Sequence, residues 1–410
     1  MLKRLYSDPT DKMDLDRGTW KGLSISPPKA VDKPTYEIVG PVERYDTRDH
    51  VFARLVMGMQ VDSPAYEDYY SRHPEKKAID EDMSERAEQS GRKLLENNRV
   101  NEEIANSGFY GAFAMSRPRL VQALLKNITL PVGRVEMDRA EVDPARMSRK
   151  IKAFGLHLGA GKVGITELNQ RWVYSHEPVP AYGQPIELDY KYVIAFAVPQ
   201  QPFFIANQTG LGESWEVGWT YAYASFISLI MANFIRHLGW PARPVPTFST
   251  PYLVCPVFVD AGIGEDGRCG FVVTKEFGNN FRPGGVLTDL PLVPDKPVDF
   301  GMQDFCDKCG LCAEMCPAGA ISKGGREVVR GVRKWQIDAE KCYRYWNTIG
   351  HSCGICQAVC PWNHPNNWFH NSIREVAERF PSLRKSIVAG EELFYKHKPG
   401  PDPKWMTEPV

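Results

Sequence analysis

The sequence predicts an α+β protein in which a core of helices and strands precedes a small unit built around cysteines. Three observations carry this expectation. Helix-period and strand-like apolar runs alternate from about residue 147 to 290. Eight of the ten cysteines fall between residues 306 and 360 in two matching runs. No stretch reaches the roughly 18 uninterrupted apolar residues of a spanning helix; the longest candidate, Tyr221 to Leu238, contains Asn233, Arg236 and His237.

Four segments follow in order. Residues 1–145 are polar and Pro-rich in patches, carry a charged run from Glu75 to Arg92, and show helical composition at Gly91–Ile104 and Ser116–Lys126; they read as a layer wrapped around a later core. Residues 146–300 are that core. Met147–Leu158 has amphipathic helical spacing, Gly159 and Gly161 break it, and Val163–Thr166 and Tyr192–Val198 read as strands. The long helix from Tyr221 then ends at Gly239, where a glycine cap is expected. Further strand-like runs are Leu253–Val259, Gly270–Thr274 and Val286–Leu290, and the glycine-rich stretch Ala261–Arg268 reads as a tight connection between strands. That stretch lacks the G-x-G-x-x-G spacing and strand-to-helix context of a dinucleotide site; its functional reading is a close backbone approach to a large cofactor. Residues 301–365 are the cysteine unit and 366–410 a tail.

Composition narrows the function. Fifty basic residues balance fifty acidic ones, so nothing in the overall charge calls for nucleic acid. Met1 is not followed by a signal-peptide pattern, and a mature exported form is equally allowed.

The cysteines carry the chemistry. Cys306, Cys309, Cys312 and Cys316 stand at C-x2-C-x2-C-x3-C before Pro317, and Cys342, Cys353, Cys356 and Cys360 at C-x10-C-x2-C-x3-C before Pro361. This is the bacterial ferredoxin run, in which the fourth cysteine reaches across to the other cluster. One [4Fe-4S] cluster then takes Cys306, Cys309, Cys312 and Cys360, and the other Cys342, Cys353, Cys356 and Cys316. Zinc fits two quartets with matched C-x3-C-P endings poorly, and a disulfide framework is foreign to a chain this long. Cys255 and Cys269 read as buried thiols. Two clusters in series form a wire, so the preceding domain is expected to hold what they reduce.

From Ala261 to Leu292 the sequence AGIGEDGRCGFVVTKEFGNNFRPGGVLTDLPL, followed by the paired cluster motifs and Pro361-Trp362-Asn363, resembles the cobalamin-dependent reductive dehalogenases. The resemblance covers roughly residues 147–365. It implies a nitroreductase-like core holding cobalamin or another corrinoid base-off, near Gly262, Gly264 and Gly267, with the two [4Fe-4S] clusters in a bacterial-ferredoxin-like domain. It further implies a catalytic tyrosine at the start of the long helix, Tyr221, with Tyr223 the choice if the helix start shifts, and a basic partner at Arg282. A guanidinium beside a phenol stabilises the phenolate left after proton donation. Where the family often has a pocket asparagine this chain has Pro246-Thr247-Phe248-Ser249-Thr250, so Thr247 or Ser249 takes that place. Trp215, Trp219, Phe248, Tyr252 and Trp346 read individually as core and, with the resemblance, as walls of a small apolar pocket. The implied reaction removes halide from a small organohalide, a chlorinated alkane or alkene. The implied setting is the outer face of the cell membrane after twin-arginine export, docked on a small membrane anchor protein, although the same sequence suits the cytoplasm; a homodimer is left open. Two other readings remain: an epoxyqueuosine reductase-like tRNA-modifying enzyme, disfavoured by the tyrosine and by the lack of a basic C-terminal repeat, and a non-catalytic iron–sulfur electron carrier.

Overall fold

The computed structural model describes residues 9–21, 25–54, 64–178, 183–247, 249–395 and 397–400, except 101–132. The helical expectation at Ser116–Lys126 and the candidate wall Phe248 lie outside the described residues.

The core is a six-stranded sheet of β1 (Met13–Asp14), β2 (Thr19–Trp20), β3 (Lys162–Glu167), β4 (Tyr192–Pro199), β5 (Ala242–Val245) and β6 (Phe281–Thr288), in the order β1-β2-β3-β4-β6-β5 with every pairing antiparallel. β3, β4 and β6 are buried almost throughout. That explains near-continuous apolar runs in place of the alternation of a one-sided sheet. The two faces of β4 separate cleanly. Ile194, Phe196 and Val198 enter one core cluster, with Ile151, Leu156, Ile227, Met231 and Ile235; Val193, Ala195 and Ala197 enter the other, with Trp172, Tyr252, Val257 and Phe258.

The helices that bear on the site are, in chain order, α1 (Pro74–Val100), α2 (Pro144–His157), α3 (Leu211–His237) and α4 (Val254–Asp260), then α5 (Met302–Cys309), α6 (Leu311–Glu314), α7 (Ala339–Ile349) and α8 (Ile355–Ala358) in the cysteine unit, and α9 (Trp368–Arg379) and α10 (Arg384–Tyr395) after it; two others among the described residues, Pro64–Arg72 and Pro202–Ile205, are left unnumbered. Asp143 caps α2 by accepting from Arg146 N at 2.7 Å, and Pro144 opens it. α3 ends as expected, with Gly239 at φ +78°. Its start differs from the expectation: the helix begins at Leu211, so Tyr221 lies in its interior. The polar Glu213 and Glu216 masked this at the sequence level, yet both are buried. Leu253–Val259 is also corrected, from strand to the helix α4. Its β-branched valines favour strands locally, but Val257, Phe258 and Val259 are placed by packing on the sheet. The glycine-rich stretch therefore links a helix, α4, to the short strand Glu265–Asp266.

The N-terminal region joins the core directly. Val163 N donates to Gly18 O at 2.7 Å, extending the sheet by the β1–β2 hairpin. The charged run from Glu75 forms most of α1, which lies along α7: buried Arg54 bridges Asp80 on α1 and Glu340 on α7, each at 2.8 Å, and Phe52 packs on the rings of Tyr343 and Trp346. The cysteine unit has its own small core of Phe300, Met302, Phe305, Leu311, Val359 and Trp362, to which α9 and α10 contribute Ala377 and Val388. Among the described residues no helix is long and apolar enough to cross a membrane.

Candidate functional site

Short, sharply broken helices present the cysteines. Cys306 and Cys309 lie on α5; Gly310, at φ +73°, ends it and starts α6, which carries Cys312. Only a residue free of a Cβ adopts that left-handed turn without strain, and the turn lets a third thiol face the same space. Cys306, Cys309, Cys312 and Cys360 line one small apolar cavity together with Cys269 and with Cys356 of the other set. Cys316, Cys342 and Cys353 stand close enough to Cys356 to influence its ionisation. Backbone amides face the sulfurs: Arg268 N donates to Cys306 Sγ at 3.5 Å and Ala320 N to Cys316 Sγ at 3.3 Å. Burial pushes Cys309 up to about 11, Cys342 to about 12 and Cys353 to about 11. Thiols this reluctant to ionise become ligands only when a metal centre supplies the compensating charge. Among the described residues no three candidate ligands converge tightly enough for a single ion.

The candidate acid and its partner are brought together by α3 and β6. Gly284 and Gly285 let the helix approach the sheet: a Cβ on Gly284 would meet the Phe196 ring at 2.4 Å and Ala224 O at 3.2 Å. Ser228 on α3 binds across the gap to Val245 O at 3.1 Å. Arg282 is then 6% exposed, with its guanidinium carbon 5.0 Å from the centre of the Tyr221 ring. Tyr223 is committed elsewhere. Its hydroxyl donates to Leu158 O at 2.8 Å and its ring stacks on Trp219. Burial raises the Glu216 carboxyl above its ordinary range while the nearby Arg282 charge pulls it down. Thr247 Oγ1 donates to Tyr221 O at 3.1 Å, and Thr247 and Ser249 are both buried. Of the aromatic candidates, Tyr252 is core, Trp346 packs on Phe52 from the N-terminal region, and Trp219 is half exposed beside Tyr223.

A seam of buried amides, which sequence reasoning missed, joins this pair to the cysteine unit. Arg282 Nη2 donates to Gln357 Oε1 at 3.3 Å, and Gln357 Nε2 donates to Asn279 O at 2.8 Å. Asn363 Nδ2 donates to Asn280 Oδ1 at 2.9 Å and to Asn279 Oδ1, while Asn363 Oδ1 accepts from Asn279 N at 2.8 Å. Gln357 follows Cys356 directly, and Ser352, beside Cys353, bonds to Glu213 Oε2 at 2.6 Å on α3. The second cysteine set is thus the one that abuts Tyr221 and Arg282. The only signal in the sequence was the polar run Asn279-Asn280 before an otherwise apolar strand.

The glycine-rich stretch serves the protein's own packing. A Cβ on Gly262 would meet Lys296 O at 2.5 Å, and one on Gly264 would meet Val273 O at 2.1 Å, whereas Gly267 lines the cysteine cavity. Glu265 anchors that stretch to α5, accepting from Phe300 N at 2.7 Å and Met302 N at 3.2 Å; burial pushes its carboxyl up to about 7. A larger cavity lies between residues 14–30 and the start of β3, and two of its lining pairs are internal, Lys162 with Glu276 at 2.8 Å and Arg17 with Asp14 at 3.2 Å. It holds neither a cysteine nor the Tyr221–Arg282 pair.

Comparison with known proteins agrees with this arrangement. Residues 305–364 match the 4Fe-4S dicluster domain family. The chain is 32% identical over 279 residues to a tetrachloroethene reductive dehalogenase of Sulfurospirillum multivorans, covering 59% of this chain and 55% of that one, and 34% identical over 295 residues to one of Desulfitobacterium hafniense, covering 60% and 53%. A solved reductive dehalogenase, described as suggesting a mechanism for B12-dependent dehalogenation, superposes with a TM-score of 0.71 at 25% identity, over 91% of this chain and 50% of that one. The chain spans about half the length of the curated relatives it matches. In its matched sequence, its fold and its dicluster segment, the chain is similar to reductive dehalogenases, a solved example of which is described as B12-dependent.

Proposed function

We propose that this chain acts as a reductive dehalogenase on a small organohalide, a chlorinated one- or two-carbon compound, with two [4Fe-4S] clusters delivering electrons to a corrinoid. The observation that carries the proposal is the Arg282 guanidinium 5.0 Å over the Tyr221 ring, at the end of a buried seam that begins at the second cysteine set. Arg282 Nε and Gln200 Nε2 are buried on that seam without protein partners. They are donors of the kind that the amide and phosphate oxygens of a corrinoid accept, so the residues present fit that group. When bound, the corrinoid supplies a Co(I) centre able to cleave a carbon–halogen bond reductively.

The chain's own residues do the rest. Overall R–X, two electrons and one proton give R–H and halide. Tyr221 Oη holds the proton to be donated, and Arg282, fixed by Gln357 and its own neighbour's carbonyl (Nη1 to Phe281 O, 3.1 Å), supplies the positive charge that stabilises the phenolate left behind. The resemblance to chlorinated-ethene enzymes favours a chlorinated alkene, with small chlorinated alkanes the next candidates.

The test is an anaerobic metal count followed by turnover with a chemical reductant on tetrachloroethene and on a chlorinated ethane. Iron and cobalt together, with halide release, are expected. Tyr221→Phe is expected to retain both metals and lose halide release by at least about a hundredfold, the scale of a general acid. Undiminished turnover in that variant refutes the assignment of Tyr221. Iron without cobalt leaves only an electron carrier.

A further inference from the structure

We infer, on the reading of Tyr221 as the proton donor, that Ser225 and Thr247 are its positioning residues, clasping its main-chain carbonyl so that the ring meets Arg282. Ser225 Oγ donates to Tyr221 O at 2.9 Å, one turn along α3, and Thr247 Oγ1 donates to the same carbonyl at 3.1 Å. Thr247 N in turn donates to Ser225 Oγ at 3.0 Å. These three bonds close a ring between the helix and the segment that follows β5. Both residues are buried, Ser225 4% and Thr247 7% exposed.

A hydroxyl that bonds back to the carbonyl one turn earlier slightly loosens and bends a helix. The clasp from Thr247 holds that turn in one geometry. It reaches Tyr221 from the end of β5, and Thr247 is itself carried on a turn in which Ser249 N donates to Pro246 O at 3.0 Å. Arg282 is held separately, by Gln357 of the cysteine unit at 3.3 Å and by Phe281 O at 3.1 Å. The 5.0 Å approach of guanidinium to ring therefore depends on two anchors, one for each partner. A threonine hydroxyl has one proton to give, and this one is given to the main chain. Thr247 thus acts on the site through Tyr221, and does not offer a departing halide the donor that a pocket amide would.

The test uses the full chain, purified anaerobically, in two forms: one with 3-fluorotyrosine at position 221 for fluorine magnetic resonance, and one unlabelled for iron content and turnover of tetrachloroethene. Thr247→Val removes the hydroxyl and keeps the branched shape. It is expected to shift the fluorine resonance and to lower kcat by about tenfold with KM and iron unchanged, less than the hundredfold or so that an ångström of misplacement can cost. Thr247→Ser, which keeps the hydroxyl, returns both. Because Thr247 acts through Tyr221, adding Thr247→Val to Tyr221→Phe is expected to cost less than about twofold more. A resonance unmoved in Thr247→Val overturns the inference, and so does a loss of kcat that persists in full in the Tyr221→Phe background. Where Thr247→Val loses iron, Ser225→Ala, which removes the other hydroxyl of the clasp, is read by the same resonance with the same outcomes. Wild type that binds its metals yet releases no halide refutes the dehalogenase reading, a separate outcome, and the fluorine resonance still decides whether the clasp holds Tyr221.

Discussion

Replacing Asn363 by leucine, which has the same branched shape and number of side-chain heavy atoms but no polar group, isolates what the amide seam contributes. Asn363 is 6% exposed, Asn279 1% and Asn280 2%. Leucine leaves three buried groups without their partner: Asn279 N–H, Asn279 Oδ1 and Asn280 Oδ1. The Gln357 carbonyl keeps its bond from Cys360 N at 3.1 Å, and Asn280 Nδ2 keeps Asn363 O at 3.1 Å, so neither is counted. At about 1 to 2 kcal/mol per orphaned group the cost is about 4 kcal/mol, a large part of the 5 to 15 kcal/mol typical of folded domains. Because these bonds span β6 and the cysteine unit, the loss falls on the docking between them. Anaerobic denaturant titration, followed by far-ultraviolet circular dichroism and by cluster absorbance, reads the midpoint of each. Both midpoints are expected to fall, the cluster signal at least as far as the backbone signal. A destabilisation below about 1 kcal/mol would mean that water or rearrangement satisfies the orphans, and would refute the idea that Asn363 locks the seam.

Two further outcomes follow from the same geometry. The Glu265 carboxyl sits at about 7 when folded against an ordinary value of 4.5, so the folded state binds more protons between these limits; stability falls as pH rises from about 4.5 to about 7, by about 3 kcal/mol, and Glu265→Gln is expected to flatten that slope in urea titrations across the range. Tyr223→Phe removes the bond to Leu158 O and is expected to lower stability by about 1 kcal/mol while leaving halide release intact, the reverse of Tyr221→Phe, as paired melting and turnover measurements will show.

Much of the architecture was legible because it rests on local pattern. β3 and β4 lie within a residue or so of their expected places, α2 starts three residues before the expected Met147 and ends within a residue of Leu158, and Gly239 ends α3. The two-cluster reading of the segment agrees with the dicluster family match because ferredoxin spacing reflects short loops that must return thiols to one point. What failed depended on tertiary contact. α4 is helical although its valines favour strands, because helical spacing puts Val257, Phe258 and Val259 against the sheet. The start of α3 was missed because Glu213 and Glu216 look like surface residues, whereas Ser352 and Gln201 N satisfy them in the interior. The contact of Arg282 with Tyr221 was expected from resemblance, but Gln357, which holds the arginine, carries no motif of its own.

The amide seam has a physical rationale that an apolar joint would lack. Apolar side chains hold two units together with little preference for exact register, since burial is non-directional. Hydrogen bonds between Asn279, Asn280, Gln357 and Asn363 are directional, and a shift of an ångström or two breaks several at once. Electron delivery and proton donation both fall off steeply with misplacement, so a joint that fixes register is what this assembly needs. The same residues bear on both: Gln357 holds Arg282 over Tyr221, while Asn279 holds Cys269 in the cysteine cage. Apolar substitutions along the seam should therefore disturb the proton donor and the cluster environment together, whereas equal losses of stability introduced in the α2–α3 core should disturb neither.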